Sequence, residues 1–440
     1  MSATLIPDVD SQAAGAAPDS MPVAGSAGAP AAVPNDAILA TYKRAPVTFV
    51  RGQGVELFDE AGRAYLDFTA GIAVNALGYG DAGLARVMHE AIDTGMLHTS
   101  NLYRTRPGEE LAELLVAKSF ADRVFFCNSG AEANEGAFKF ARRWARAVAG
   151  RGTASEGASL TGSPKHEIIS LRGAFHGRLF GTLAATDRPG YRMPFRPLAG
   201  GVSIAERDIE ELAATISADT TAAVVLEPIQ GEGGVRVLDA GFVRELRALT
   251  AERDVLLVFD EIQCGLGRTG TLFAYQQLGV TPDILTLAKP IAGGLPMGAI
   301  LMTADVASAV QPGDHGTTFG GGPFVASAAK YVVERLSDPA LLAHVTATGA
   351  KLGAGLRAIA ERTGRVRAVR GMGFMWGLDT MAPAGEIVAR ALELGLLVVT
   401  AGDHTVRLLP PLVMSEADVA RGLELLERAI VGDSVNGEAK

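Results

Sequence analysis

The sequence predicts an α/β protein, with a large domain built on a largely parallel sheet and a smaller α+β domain at its C-terminal end. Three observations carry that expectation. Short apolar runs at Ala222–Leu226, Val255–Phe259 and Ile284–Leu287 show no polar alternation, as expected of strands buried on both faces. Helical patterns separate such runs, which favours parallel neighbours. Beyond residue 335 the pattern changes to helices interleaved with short strands of mixed character.

Composition bounds the function. The chain has 440 residues, enough for two domains and a large core. It is 48% hydrophobic and 20% charged, a globular balance. A net charge of -9 without a basic run argues against a nucleic-acid partner. The absence of an apolar run long enough to cross a bilayer argues against a membrane role. Cys127 and Cys264 offer no disulfide framework and no metal cluster, which fits a reducing cytoplasm. The histidines form no HExxH-type metal-ligand pair.

Residues 1–35 are mostly Ala, Pro, Gly and Ser, with neither a basic start nor arginines, and read as a disordered tail rather than a targeting segment. Residues 36–95 read as the N-terminal segment of the small domain. Val47–Val50, Gly54–Phe58 and Ala64–Phe68 are strand-like around an Asp59–Gly62 turn. Helices are expected over Ala82–Thr94 and over Pro107–Lys118, where Leu111, Leu114 and Leu115 share a face. The large domain is expected over 96–335. Val124–Cys127 reads as a strand ending at Asn128-Ser129-Gly130-Ala131, where a helix begins with Ala133, Ala137, Phe140, Ala141 and Trp144 on its apolar face. A strand, a glycine turn and a helix start can hold an anion on free N–H groups, although many plain connections look the same. Residues 150–164 are rich in Gly, Ser and Thr and read as an exposed loop. Strands are expected at Glu167–Leu171 and Gly298–Met302, and a helix over Gly241–Arg253. The small domain resumes over 336–435: a helix over Leu341–Arg362, strand-like runs at Val366–Gly371, Gly373–Leu378, Leu396–Val399 and Val406–Leu409, and a helix near Gly385–Leu394. The last helix starts at Ser415 with Asp418 in a capping box and buries Val419, Leu423, Leu426 and Ile430.

Two polar residues leave buried strands at what should be one sheet edge: Asp260 after Val255–Phe259, and Lys289 after Ile284–Leu287. Ligands of open α/β sheets bind outside such carboxyl ends. A lone aspartate there is usually a turn or cap residue, and a lone lysine is usually solvated. Together they suit pyridoxal phosphate, which binds lysine as a Schiff base and takes an acidic partner at its ring nitrogen. Gly265-Leu266-Gly267-Arg268-Thr269-Gly270 fits G-x-G-x-x-G, but four residues separate it from Asp260 and no good helix entry follows, so a dinucleotide site is not expected.

The motifs Asn128–Glu135, Phe175-His176-Gly177-Arg178, Glu227–Gly233, Asp260-Glu261-Ile262-Gln263, Lys289 and Thr317–Gly321 occur in this order. The set resembles the class III, ornithine-type aminotransferases, pyridoxal-phosphate enzymes of PLP-transferase fold type I, over about residues 37–431. Ala70–Asn75 and His98–Tyr103 look most like the acetylornithine group within it. The resemblance implies that Lys289 and Asp260 are catalytic, Lys289 holding pyridoxal 5'-phosphate and shuttling a proton, Asp260 pairing with the pyridinium. Gln263 would lie near the ring hydroxyl and Phe175 on the ring face. The backbone of Gly130 and Ala131 would hold the phosphate, and Thr318 would reach the phosphate in a neighbouring subunit of a homodimer. Arg178 and Thr317 would contact substrate. Arg407 would bind the α-carboxylate, paired with Glu232 when an ω-amino donor is bound and freed for a dicarboxylate; the plain alternative is a static ion pair.

The implied reaction moves the ω-amino group of N-acetylornithine to 2-oxoglutarate by a ping-pong cycle, giving N-acetylglutamate semialdehyde and glutamate, in arginine biosynthesis. Ornithine, succinylornithine, 4-aminobutyrate and aminoadipate-semialdehyde aminotransferases remain alternatives, as does a non-catalytic dimeric scaffold of the same fold. The chain departs from the family pattern at Pro290-Ile291-Ala292-Gly293, at Gly322, where asparagine is usual, and at Tyr79-Gly80-Asp81-Ala82. Proline at 290 favours an extended backbone at Lys289.

Overall fold

A computed structural model describes residues 37–150 and 165–432. The tail over 1–35 and nearly all of the 150–164 loop lie outside the described residues. Residues up to Val47 and those from Thr48 onward form two separate units. Between 37 and 47 the chain holds no helix or strand.

The main sheet has seven strands in the order Arg123–Cys127, Gly298–Met302, Ile284–Leu287, Leu256–Asp260, Thr221–Leu226, Glu167–Leu171, Val202–Ala205. Gly298–Met302 runs antiparallel to both neighbours, and the other pairs are parallel. The central strands are buried throughout and mostly apolar because helices cover both faces. In Leu256–Asp260 every residue is buried, and each large apolar side chain contributes roughly 1.5–3 kcal/mol. The Gly130–Gly150 helix covers one face with Ala133, Ala137, Phe140, Ala141 and Trp144, all buried as the 3.6-residue period required.

The register places the chemistry. Asp260 lies opposite Thr286, three residues before Lys289. Cys127 lies opposite Gly298, and Leu226 opposite Phe259. The carboxyl ends of the Cys127, Leu226, Asp260 and Leu287 strands therefore share one edge.

Two four-stranded sheets and a two-stranded antiparallel pair, Ile229–Gln230 with Arg236–Val237, complete the unit among the described residues. Phe49–Gln53, Glu56–Asp59 and Ala64–Asp67 form an antiparallel meander, and Leu396–Leu397 joins its edge in parallel with Ala64–Asp67. Val366–Met372, Met375–Thr380, Thr405–Leu408 and Val399–Thr400 form an antiparallel sheet that carries Arg407. The run Leu396–Val399 is thus split between two sheets at the buried Val398, where the chain crosses from one to the other. The closing helix, Glu416–Val431, has the expected capping box, Ser415 to the Asp418 amide and Asp418 back to Ser415. No helix among the described residues is long and apolar enough to cross a membrane.

Two of the departures from the family pattern find local explanations. Tyr79 donates its hydroxyl to Asp67 Oδ2 at 2.6 Å, and Asp81 caps the Ala82–Asp93 helix through the Leu84 amide at 2.7 Å. Gly322 caps the Pro323–Leu336 helix without a side-chain hydrogen bond, which costs only a few tenths of a kcal/mol relative to asparagine. Neither that helix nor the Val202–Ala205 edge strand was expected from the pattern.

Lys289 corrects an expectation. Its backbone is not extended: φ is +31°, and it opens a 3₁₀ turn over Lys289–Ala292. The extended residue is Ala288, at φ -161°, whose carbonyl accepts the Ile291 amide at 2.9 Å. Pro290 fits inside that turn, where its missing N–H is not needed. A positive φ on a side-chain-bearing residue costs about 1–3 kcal/mol and is retained where the surroundings impose it.

Candidate active site

A cavity of about 400 Å³ opens at the sheet edge, within the range of small-ligand sites. Its wall includes Gly130, Ala131, Phe175, Arg178, Asp260, Gln263 and Lys289, together with Asn128, Ser129, Val74, His176, Glu227 and Ile262. Seven expected site residues from four separate motifs thus meet in one place.

Asp260 is buried and fully engaged on its protein side. Oδ2 accepts from Asn134 Nδ2 at 2.7 Å and pairs with His176 Nδ1 at 2.8 Å. Oδ1 accepts the Ile262 amide at 3.1 Å. Asn134 is itself fixed: Nδ2 also donates to the His176 carbonyl at 2.8 Å, and Oδ1 accepts the Thr286 hydroxyl at 2.8 Å. Burial pulls the His176 imidazole down, but the hydrogen bond and charge of Asp260 and the charge of Glu227 raise it above its ordinary value. Its Nε2 is buried without a partner among the described residues. Glu227 lies beneath the cavity, accepts the Phe175 amide at 3.0 Å, and is pushed up to about 7 by burial, against the pull of His176.

Lys289 faces these carboxylates. Burial lowers its amine below the ordinary lysine value, while Asp260 and Glu232 oppose the shift. The neutral amine is therefore more accessible than on a solvated lysine.

Gly130 begins a long helix, so the first-turn amides have no intrahelical acceptor. A Cβ at Gly130 would stand 2.8 Å from Ile262 Cγ2, and this close approach requires glycine. The turn before the helix is held by the Asn128 amide donating to Glu132 Oε2 at 2.6 Å.

On the cavity rim the Arg178 guanidinium stacks on the Tyr191 ring at 3.4 Å, and Tyr191 meets Phe175 edge-on at 6.5 Å. Arg407 is buried in the antiparallel sheet. Its Nη1 donates to Glu232 Oε1 at 2.6 Å and to Gln263 Oε1 at 3.0 Å, so Gln263 joins it to the cavity wall. Its Nε is buried without a partner among the described residues. Nearby, Ala70, Gly71, Ile72 and Ala73 all have positive φ, between 49° and 66°, and deliver Val74 to the cavity. Asp67 anchors this left-handed turn, accepting the Thr69 and Ala70 amides at 2.7 and 3.1 Å.

Thr317 and Thr318 are not brought to this cavity. They line two adjacent clefts with His315 and Gly316. Thr317 Oγ1 accepts from Asn128 Nδ2 at 3.1 Å, while Thr318 and Phe319 are exposed. Asn134, His176 and Glu227 stood inside the quoted motifs without a role; their place beside Asp260 depends on strand register. Among the described residues no cluster of His, Cys, Asp and Glu could hold a metal ion.

The model of the family "Aminotransferase class-III" matches residues 38–430. An acetylornithine aminotransferase of mitochondria from Alnus glutinosa is 46% identical over 391 residues, covering 88% of this chain and 84% of its own. Among solved structures, the N-acetylornithine aminotransferase of Stenotrophomonas maltophilia K279a superposes with a TM-score of 0.76 at 38% identity, covering 89% of this chain and 97% of that one. An amine transaminase from an uncultivated Pseudomonas species, in PLP-bound form, superposes with a TM-score of 0.81 at 27% identity, covering 90% and 98%.

Proposed function

The chain belongs to the class III aminotransferases, enzymes of fold type I that work with pyridoxal phosphate, and from that membership we propose how its residues divide the work. The cavity suits the cofactor on its own evidence. Unpaired helix-start amides stand at one side, and Gly130, having no Cβ, lets that helix start pack directly against Ile262. The buried carboxyl of Asp260 stands at the other, with Lys289 in the same wall.

When bound, pyridoxal phosphate supplies an electron-withdrawing ring that stabilises negative charge on a substrate carbon. The Gly130 and Ala131 amides bind its phosphate. Asp260 would keep a proton on the ring nitrogen, and His176 and Asn134 orient that carboxylate. Phe175 would cover a ring face and Gln263 would reach the ring hydroxyl, both from the cavity wall. Lys289 Nζ anchors the cofactor and moves the proton at the substrate carbon, a task that its lowered amine pKa suits.

The substrates are an amino acid and a keto acid. The reading supported best is transfer of the ω-amino group of N-acetylornithine to 2-oxoglutarate, giving N-acetylglutamate semialdehyde and glutamate by a ping-pong cycle. Its main support is the Glu232–Arg407 pair at 2.6 Å, beside which the names and identities of the relatives stand. A paired Arg407 does not attract the α-carboxylate end of a donor, whereas a freed Arg407 accepts that of 2-oxoglutarate. Arg178 and Thr317 contact the rest of the substrate.

Thr318 belongs to the phosphate site of a second copy in a homodimer; its exposure next to Phe319, outside its own chain's cavity, supports this. A cytoplasmic setting accords with two buried, unpaired cysteines. The division into a large domain over 96–335 and a small one from 36–95 and 336–435 is part of the same reading, supported by the pairing of Leu396–Leu397 with Ala64–Asp67.

The test is a panel of donors scored for glutamate formed from 2-oxoglutarate, with Lys289→Ala as the blank. N-acetylornithine should give the highest kcat/KM. A higher value for ornithine or 4-aminobutyrate would replace the substrate assignment.

A further inference from the structure

The Gly265–Gly270 loop has no part in the site described above, yet it is almost wholly buried. At its centre Arg268 is 1% exposed, among the largest fully buried side chains of the protein. Its Nη1 donates to the Phe374 carbonyl at 3.2 Å and to the Pro410 carbonyl. Its own carbonyl accepts the Phe374 amide at 2.9 Å. The fit around it is close: a Cβ at Gly373 would stand 2.4 Å from the Arg268 carbonyl oxygen. Burial pulls this guanidinium down to about 9, with Asp67 opposing. A cation kept in so dry a place must be held by what it joins.

What it joins is the substrate end of the site. Pro410 lies three residues beyond Arg407, and Arg268 lies five residues beyond Gln263. Gln263 and Arg407 are hydrogen-bonded to each other. The same two segments are thus tied twice, once inside the site and once behind it. On either side of Pro410, the Leu409 and Leu412 amides donate to the Phe68 and Ala76 carbonyls, which flank the left-handed turn over Ala70–Ala73.

Resting on the reading of Arg407 under the proposed function, we infer that Arg268 is a positioning residue for the acceptor half of the reaction. By tying the exit of the Arg407 strand to the loop that carries Gln263, it holds the Arg407 guanidinium where a dicarboxylate meets it. The donor half, in which Arg407 is neutralised by Glu232, does not depend on that placement.

The experiment measures the two half-reactions of the holoenzyme separately by stopped flow, in Arg268→Lys and Arg268→Met. It also measures binding of glutarate, a dicarboxylate that does not react. The Met variant should weaken 2-oxoglutarate and glutarate roughly ten- to a hundredfold, as a misplacement of about an ångström does. The N-acetylornithine half-reaction should stay within about twofold in rate and affinity, since its contacts do not pass through the tie. The Lys variant keeps the charge and should show the same selective loss, smaller in size; it decides alone where the Met variant does not fold. Equal loss in both halves, or unchanged glutarate binding, overturns the inference. Failure of the functional reading looks different: the wild type itself then forms no glutamate from 2-oxoglutarate, and the inference falls with it.

Discussion

Glu232 and Arg407 meet at 2.6 Å, the arginine 2% exposed at its side chain and the glutamate 27%. One partner is therefore fixed in a sheet while the other sits on a loop with access to water. Gln263 shares the same Nη1 at 3.0 Å, so the arginine keeps a neutral partner whenever the glutamate leaves. This asymmetry makes the carboxylate the movable half.

Glu232→Gln should leave the arginine unneutralised at all times. A dicarboxylate such as glutamate should then compete better as a donor, and the preference for an ω-amino donor should fall about tenfold, near the low end for a charge-assisted hydrogen bond because the pair is partly wet. The measurement is kcat/KM for N-acetylornithine against glutamate. An unchanged ratio would mean that the pair is static.

Glu227 gives stability a pH dependence of definite sign. Burial raises its carboxyl to about 7 from an ordinary value of 4.5. A group raised in the folded state contributes stability that is complete below its unfolded value and is lost as pH rises through the folded one. Between pH 5 and 8 the wild type should therefore lose stability that Glu227→Gln does not, on the order of a few kcal/mol. Thermal midpoints of both proteins across that window test it: the variant should gain on the wild type as pH rises.

Much of this was legible in the residues. The central strands announce themselves as short apolar runs, and a polar residue at the end of such a run marks the edge where ligands sit; Asp260 and Lys289 were found in that way. Two elements were hidden for physical reasons. Val202–Ala205 is a four-residue edge strand with an exposed serine, too short for a periodic signal. Pro323–Leu336 starts after a glycine run and lacks a side-chain cap, so Pro323 at its first position is the one start mark it carries. The Lys289 backbone was misjudged because a proline restricts its predecessor only statistically, while here a turn closing on Ala288 decides. The Asp260–Asn134–Thr286 network joins a helix to two strands, and no local pattern encodes that register.

Gly130→Ala tests the phosphate cradle. The added Cβ would lie 2.8 and 2.9 Å from two Ile262 carbons, and Ile262 is itself held by its amide on Asp260. Relief must therefore come from the helix start, which carries the amides. Overpacking of this kind costs about 1–3 kcal/mol. Cofactor retention on dialysis should fall about tenfold, since each 1.4 kcal/mol is tenfold in affinity. Retention equal to the wild type would place the phosphate elsewhere.

Asn134 is the strongest test of how Asp260 is held. Its amide donates to Asp260 and to the His176 carbonyl, and its oxygen accepts from Thr286, all within a wholly buried pocket. Asn134→Ala removes these together and leaves a buried hydroxyl and a carbonyl unsatisfied, at about 1–3 kcal/mol each. Asn134→Asp keeps the shape but sets a second carboxylate within hydrogen-bond range of the first, so that one of the two must take a proton. Both variants should lower the thermal midpoint. Only the Asp variant should regain cofactor affinity as pH falls, because protonation restores a donor toward Asp260. A pH-independent loss in both would mean that Asn134 serves packing alone and that His176 by itself holds the Asp260 side chain in place.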